Sequence, residues 1–396
     1  MPLARFSLTA LAFAGLSAVA VVGFTLQSIA QSAETSEAEA PAEPGQQIFI
    51  MPRSGPFAPD TVAVPNARVI AAWARSGHSD ATSESFTHWN EDGEIPPSCG
   101  TCHSGIGFRA FHGLDDGTPG PLTAPIPIGG VVDCDTCHNP SISRVTEVTL
   151  PSGIAHPVAA GDASCTTCHQ GRAAGATVAK ATGEKEPDTP DAELRFINPH
   201  YALAASSSLG GYGAGGYHYP GKDYSGRFLH AKPVATCVSC HDPHSLDVAE
   251  ATCLTCHQSG DAEEIRIARQ SYDGSGDTGK GIKADIAANA ATLKQAIVDY
   301  AAEVAGKPMV YNGERYPYFF ADANGDGVID EAGGRAVAYD AFTPRLLKAI
   351  YNWKFVTADH GIHVHNPHYA LELLYDSIED LAGPLGMDFA GLGLLR

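Results

Sequence analysis

No cysteine in this chain of 396 residues is spare. All ten fall within one recurring pattern, which leaves no free thiol for a lipid anchor. Basic side chains are few as well, with 25 Lys and Arg against 45 Asp and Glu. The resulting net charge of −20 argues against nucleic acid and anionic lipid as partners, and for solubility or attraction to basic partner surfaces. Methionine is scarce too, at four residues, which bears on ligand choice below.

What is present begins with a repeated motif. Cys-x-x-Cys-His occurs five times: Cys99/Cys102/His103, Cys134/Cys137/His138, Cys165/Cys168/His169, Cys237/Cys240/His241 and Cys253/Cys256/His257. Two cysteine pairs could share a zinc, or one pair could cycle as a disulfide, but an adjacent His in every copy matches neither. It matches c-type haem attachment, in which both cysteines bond the porphyrin and the imidazole reaches the iron from one face. Five haem c groups are therefore expected.

The N-terminus agrees. An apolar run after Arg5 closes on the small residues "SIA", and residues 1–30 read as a secretory signal peptide, placing the mature protein in the periplasm or at the cell surface. An uncleaved membrane anchor is the competing reading, because the run approaches spanning length. Residues 31–46 are acidic and rich in Ala, Pro and Ser, and read as a flexible spacer.

The first cysteines are separated by 35, 31, 72 and 16 residues. Segments this short cannot wrap each haem in its own protein core, so the expected fold is mainly α with much irregular structure, a haem-packed core over residues 47–260, and a C-terminal helical region over 261–396. The long third gap carries an insert, and the last two haems are close neighbours. In the C-terminal region Ile286, Leu293, Ile297, Tyr300 and Val304 recur at helical spacing. Thr343 before Pro344, and Asn366 before Pro367, look like N-caps followed by proline at the first helical position. The second of these helices should end near Gly383, with Leu371, Leu373, Leu374 and Ile378 packed on the haem layer. "NPHYAL" occurs at 198–203 and again at 366–371, and both copies read as a capped helix start that presents a histidine.

Each iron needs a second axial ligand. Seventeen histidines less the five in motifs leaves twelve, so bis-His ligation is expected over His/Met. His244, three residues after His241, cannot swing to the opposite face of its own haem and should reach a neighbouring one.

From about Trp73 to Leu381 the chain resembles the polyhaem, membrane-associated c-type cytochromes of metal-reducing bacteria. The stretches that carry the resemblance include "SGHSDATSESFTHWNEDGEIPPSCGTCHS", "FINPHYALAA", "GRFLHAKPVATCVSCHDPHSL", "FTPRLLKAIYNW" and "HNPHYALELLYDSIEDL". It implies electron transfer between redox partner proteins, and distal ligands among His78, His88, His200, His230, His244 and His365. Six candidates meet five irons, and His88 ranks last. His365 is preferred to His368, although the internal echo points to the latter.

"DANGDGVIDEAG", residues 322–333, looks like a Ca2+ loop with Asp322, Asn324 and Asp326 at positions one, three and five and the Val328 carbonyl following. The acid expected at position twelve is replaced by Gly333, and a plain turn is the other reading. For function, an electron carrier, with stacking into oligomers conceivable, stands against a reductase or oxidase of a small nitrogen or sulfur compound with one open haem site. Ample histidine favours the carrier. The cluster "ADHGIHVHNPH", which could line a substrate pocket, is the reservation.

Overall fold

Cysteines three positions apart fall on one side of a helical turn, and the chain forms such turns at the motifs. The computed structural model describes residues 66–232 and 234–396, so the expected signal peptide and spacer lie outside the described residues. Helices α1 (Ala67–Trp73) and α2 (Glu84–Thr87) precede α3 (Pro97–His103), which contains the first motif. After α4 (Gly105–His112), α5 (Cys134–His138) contains the second motif and α6 (Ala160–Cys168) both cysteines of the third. Helices α7 (Gly175–Thr182) and α8 (Ala204–Gly213) occupy the long gap. The fourth motif folds only as a 3-10 turn, Cys237–Ser239, and α9 (Glu250–Leu254) opens the fifth.

The C-terminal part is regular: α10 (Ile282–Glu303), α11 (Pro344–Ala358), a single turn α12 (Ile362–His365) and α13 (Pro367–Leu385). Both proline-opened helices are capped by the residue before: Thr343 Oγ1 accepts the Leu346 N–H at 3.1 Å and Asn366 Oδ1 the Tyr369 N–H at 3.2 Å. Helix α13 runs on through Pro384 and stops at Gly386, whose φ of 61° is the left-handed C-cap. Strands are short, in four two-stranded antiparallel ladders; the pair 309–311 and 319–321 sets Met309 opposite Ala321.

Helices α10, α11 and α13 pack on one another around the main apolar core. Leu293, Ile297 and Tyr300 of the expected stripe are buried there, and Val304 packs at its edge. Leu371, Leu373, Leu374 and Ile378 are buried in the same cluster, not on a haem layer as expected. With two long apolar helices available, α13 satisfies its apolar face within the protein. This core also reaches back to Ala173, Val178, Leu194, Leu203, Tyr217 and Tyr219, so the insert of the third gap belongs to it. The motif-bearing remainder is different. One small cluster, Phe108, Leu114, Val145 and Ala163, lies among the first three motifs, and no described residue from 220 to 271 is buried.

The two "NPHYAL" copies fold differently, which corrects one expectation. The second opens α13, but the first is an irregular turn in which Asn198 Oδ1 accepts the His200 N–H at 2.9 Å, His200 stands at φ 90° and Ala202 at φ 54°, and the helix begins only at Ala204. Tyr201 is drawn off toward the C-terminal core, where its hydroxyl meets that of Tyr318. The asparagine therefore closes a turn two residues on, not a helix three residues on.

Candidate functional site

Each motif histidine faces a different histidine from outside the motifs. Ring centroids are 5.8 Å apart for His103 and His200, 6.0 Å for His138 and His244, 6.3 Å for His169 and His78, 6.3 Å for His241 and His365, and 6.1 Å for His257 and His230. A metal–imidazole bond is about 2 Å and a ring centroid lies roughly 1.2 Å behind its nitrogen, so two rings on one metal stand roughly 6 Å apart. All five spacings suit a shared iron.

Local structure presents these rings. Asp242 Oδ1 accepts the N–H groups of His244 and Ser245, both at 2.8 Å, and the Asp242 N–H returns to Asp247 O, a tight loop that projects His244 away from His241 and toward the second motif. His78 follows α1 and is tied to the second motif's approach by the Val132 N–H to His78 O bond at 3.1 Å. Nδ1 of His103 donates to Ser85 O at 2.8 Å and Nδ1 of His169 to Ala202 O at 3.2 Å, leaving Nε2 as the free lone pair in each ring. Burial pushes His78, His103, His169 and His241 below their ordinary value, and His200 down to about 4, so these rings are neutral donors at pH 7.

His88 stands apart. It is bound to Glu84 at 2.7 Å and packs on the outer side of Trp89, which itself packs on His103. His368 lies against the Tyr272 ring. His112 bonds Thr167 Oγ1 between Phe108 and Phe111, His156 faces Tyr212, and His218 bonds the Tyr369 hydroxyl at 2.7 Å. The four histidines of 360–368 do not converge, and no group of three or more His, Cys, Asp or Glu side chains among the described residues forms a metal-holding cluster.

The cysteines bring the motifs together. Cys102 Sγ donates to Thr167 O at 3.6 Å, joining the first motif to the third, and the Ala249 N–H bonds Cys240 O at 3.0 Å, leading the fourth motif to the helix that opens the fifth. Ser164 Oγ reaches Thr136 O at 2.9 Å, joining the second motif to the third. The third motif thus touches the first and second, and the fourth leads to the fifth.

The cysteine side chains differ in how far the protein covers them. Cys99, Cys102, Cys165, Cys168, Cys240 and Cys253 are partly covered, but Cys134, Cys137, Cys237 and Cys256 are exposed. Cys256 also falls outside the helical element of its own motif. Helix α9 ends at Leu254 and carries Cys253 alone, while Cys256 sits in the following turn with its N–H on Cys253 O at 3.2 Å.

Some participants were not foreseen. Asp359 holds His365, with Nδ1 2.8 and 2.9 Å from its two carboxylate oxygens. Burial would raise the Asp359 carboxyl, but the hydrogen bonds and charge of His365, with the Gly361 N–H, bring it below the ordinary range. The six-residue separation matches no helical period, so only the turn at Gly361 reveals the pairing.

In the 322–333 loop, Asp322 accepts the Asp326 N–H at 3.0 Å and the Gly327 N–H at 2.9 Å, Asp326 accepts the Val328 N–H at 2.9 Å, and Asn324 accepts the Asp326 N–H at 3.2 Å. Among the described residues no helix is long and apolar enough to cross a membrane.

No family model and no solved structure matches the chain. It is 26% identical over 376 residues to the C-type polyheme cytochrome OmcB of Geobacter sulfurreducens, covering 80% of this chain and 48% of that protein. The C-type polyheme cytochrome OmcC of the same species is 24% identical over 364 residues, covering 77% and 45%. The chain therefore spans about half the length of the curated relatives it matches. By its motifs and its relatives, the chain resembles the multihaem c-type cytochromes of metal-reducing bacteria.

Proposed function

We propose that this chain is an extracytoplasmic electron carrier with five haem c groups, each held by one motif histidine and one distal histidine, in the pairs His103/His200, His138/His244, His169/His78, His241/His365 and His257/His230. The observation that carries this reading is that five motif imidazoles meet five different partners at one spacing. Bound haem supplies one-electron iron chemistry. The protein's part is to hold neutral imidazoles on both faces, which denies a substrate the open position that a reductase or oxidase needs. The dearth of buried side chains from 220 to 271 supports a haem-packed interior there. Contact of the third motif with the first and second, and of the fourth with the approach to the fifth, supports neighbouring rather than isolated centres. For the fifth haem, attachment through Cys253 and the exposed Cys256 rests on the motif itself and on the facing rings of His257 and His230.

Redox partner proteins with basic surfaces suit the charge. Export, membrane attachment through the N-terminal run, and stacking of subunits rest on the sequence reading alone. For the 322–333 loop the turn reading is favoured over a structural Ca2+, because Gly333 stands where such a loop needs its bidentate acid. The test of the whole reading is twofold. Intact mass should exceed the apo mass by five haems, and electron paramagnetic resonance of the oxidised protein should show low-spin iron only. A high-spin signal that shifts on adding nitrite would favour the enzyme instead.

A further inference from the structure

Of the paired imidazoles, His103, His169 and His230 place Nδ1 against a backbone carbonyl, at 2.8, 3.2 and 3.4 Å. Within this paired set, His365 gives its Nδ1–H to a carboxylate. Asp359 is almost wholly enclosed, its side chain 4% exposed, and lies 2.8 Å from that nitrogen. The arrangement is built from several sides. Asp359 Oδ1 also accepts the Gly361 N–H at 3.1 Å, the Ile362 N–H bonds Asp359 O at 3.1 Å, and the His365 N–H bonds Gly361 O at 2.9 Å. Gly361 leaves room for the ring, since a Cβ there would stand 2.7 Å from His365 Cε1. Another paired ring beside an acid, His244 next to Asp242, is 4.0 Å from it and beyond hydrogen-bond reach.

We infer that Asp359 is a positioning residue that lowers the reduction potential of the haem held by His241 and His365; this rests on the ligand pairing proposed above. A carboxylate that accepts Nδ1–H makes the imidazole a stronger donor at Nε2, and its buried charge favours the more positive iron. Ferric iron takes one electron from a neighbouring centre or partner and becomes ferrous, while the proton stays between Nδ1 and the carboxylate. The fourth motif, which holds His241, leads to the fifth through the Ala249 N–H bond to Cys240 O at 3.0 Å, Ala249 preceding the helix that carries Cys253. An electron crossing between those motifs therefore meets a thermodynamic step that Asp359 sets.

The experiment is a spectroelectrochemical titration of the full haem-loaded chain. Asp359→Asn should shift one of five one-electron steps upward by at least tenfold in its equilibrium constant, about 59 mV, and leave four in place. Gly361→Ala, which pushes the ring off the carboxylate, should move the same step in the same direction, and it decides the matter if Asp359→Asn does not fold. Asp242→Asn should produce no shift of that size. An unmoved set of potentials in a folded Asp359→Asn or Gly361→Ala protein that keeps five low-spin haems overturns the inference. If instead His365→Ala leaves every haem low-spin, the ligand pairing has failed and not the role of Asp359.

Discussion

His218 stacks on Tyr224 with ring centroids 4.1 Å apart, and its Nε2 accepts a hydrogen bond from the Tyr369 hydroxyl at 2.7 Å. Burial pushes it down to about 4. Unfolded histidine titrates near 6.5, so the unfolded chain binds the extra proton first, and this contribution to stability is present above about pH 6.5 and lost as pH falls toward 4. The loss is at most about 3 kcal/mol, less whatever residual solvent screens. Thermal melts from pH 7 to 4.5 should show a steeper decline for wild type than for His218→Phe, and equal slopes would contradict it. The same scale separates ligand from bystander. His365→Ala should turn one haem high-spin and raise its potential, whereas His368→Ala, beside Tyr272, should do neither. Residue type alone could not make that distinction, because the two histidines are one helical turn apart.

At the scale of the element, caps and turns were legible because their causes are local. Thr343 and Asn366 each sit before a proline and each accepts the N–H three residues on. Thr343→Ala should cost about 1 kcal/mol in denaturant unfolding, with the haem spectrum unchanged. A loss of low-spin haem would instead tie that cap to the iron sites. The loop at 322–333 is local as well. Chelator should leave the wild-type melting temperature unchanged, and a drop that added Ca2+ reverses would restore the cation reading. Illegible from sequence were features decided by distant partners. "NPHYAL" opens α13 but makes a left-handed turn at His200, where Tyr201 reaches Tyr318 while Tyr369 of the second copy reaches His218 and the Gly216 N–H. The apolar stripe of α13 was visible, but not what covers it, since periodicity gives a face and not its neighbour. Asp359 was missed for the same reason. The five motifs were legible as sequence, yet the irregular backbone of the fifth was not: its helix ends at Leu254 and leaves Cys256 in the following turn.

Across the whole molecule, burial is divided unevenly. Helices α10, α11 and α13, with α7, enclose apolar side chains in the ordinary way, while 220–271 encloses none among its described residues. Apo protein lacking covalent haem should therefore keep slow amide exchange in α10, α11 and α13 and lose it around the motifs. Uniform protection, or uniform loss, would show that the two parts do not depend on haem differently.

The proposed ligand pairs also cross in sequence. His78 precedes the motif it serves, whereas His103 must wait for His200, His138 for His244, and His241 for His365. On this pairing, a chain emerging from its N-terminus receives porphyrin at a motif long before the second imidazole arrives. Maturation then passes through forms whose iron is fully attached and half ligated, and the turn at Asp359–His365 is the clasp that closes the fourth site. A ribosome or export channel that stalls before this turn would release a cytochrome with its full complement of haem and one iron open to peroxide or nitric oxide, so that the cost of an unfinished chain is unwanted chemistry rather than missing colour.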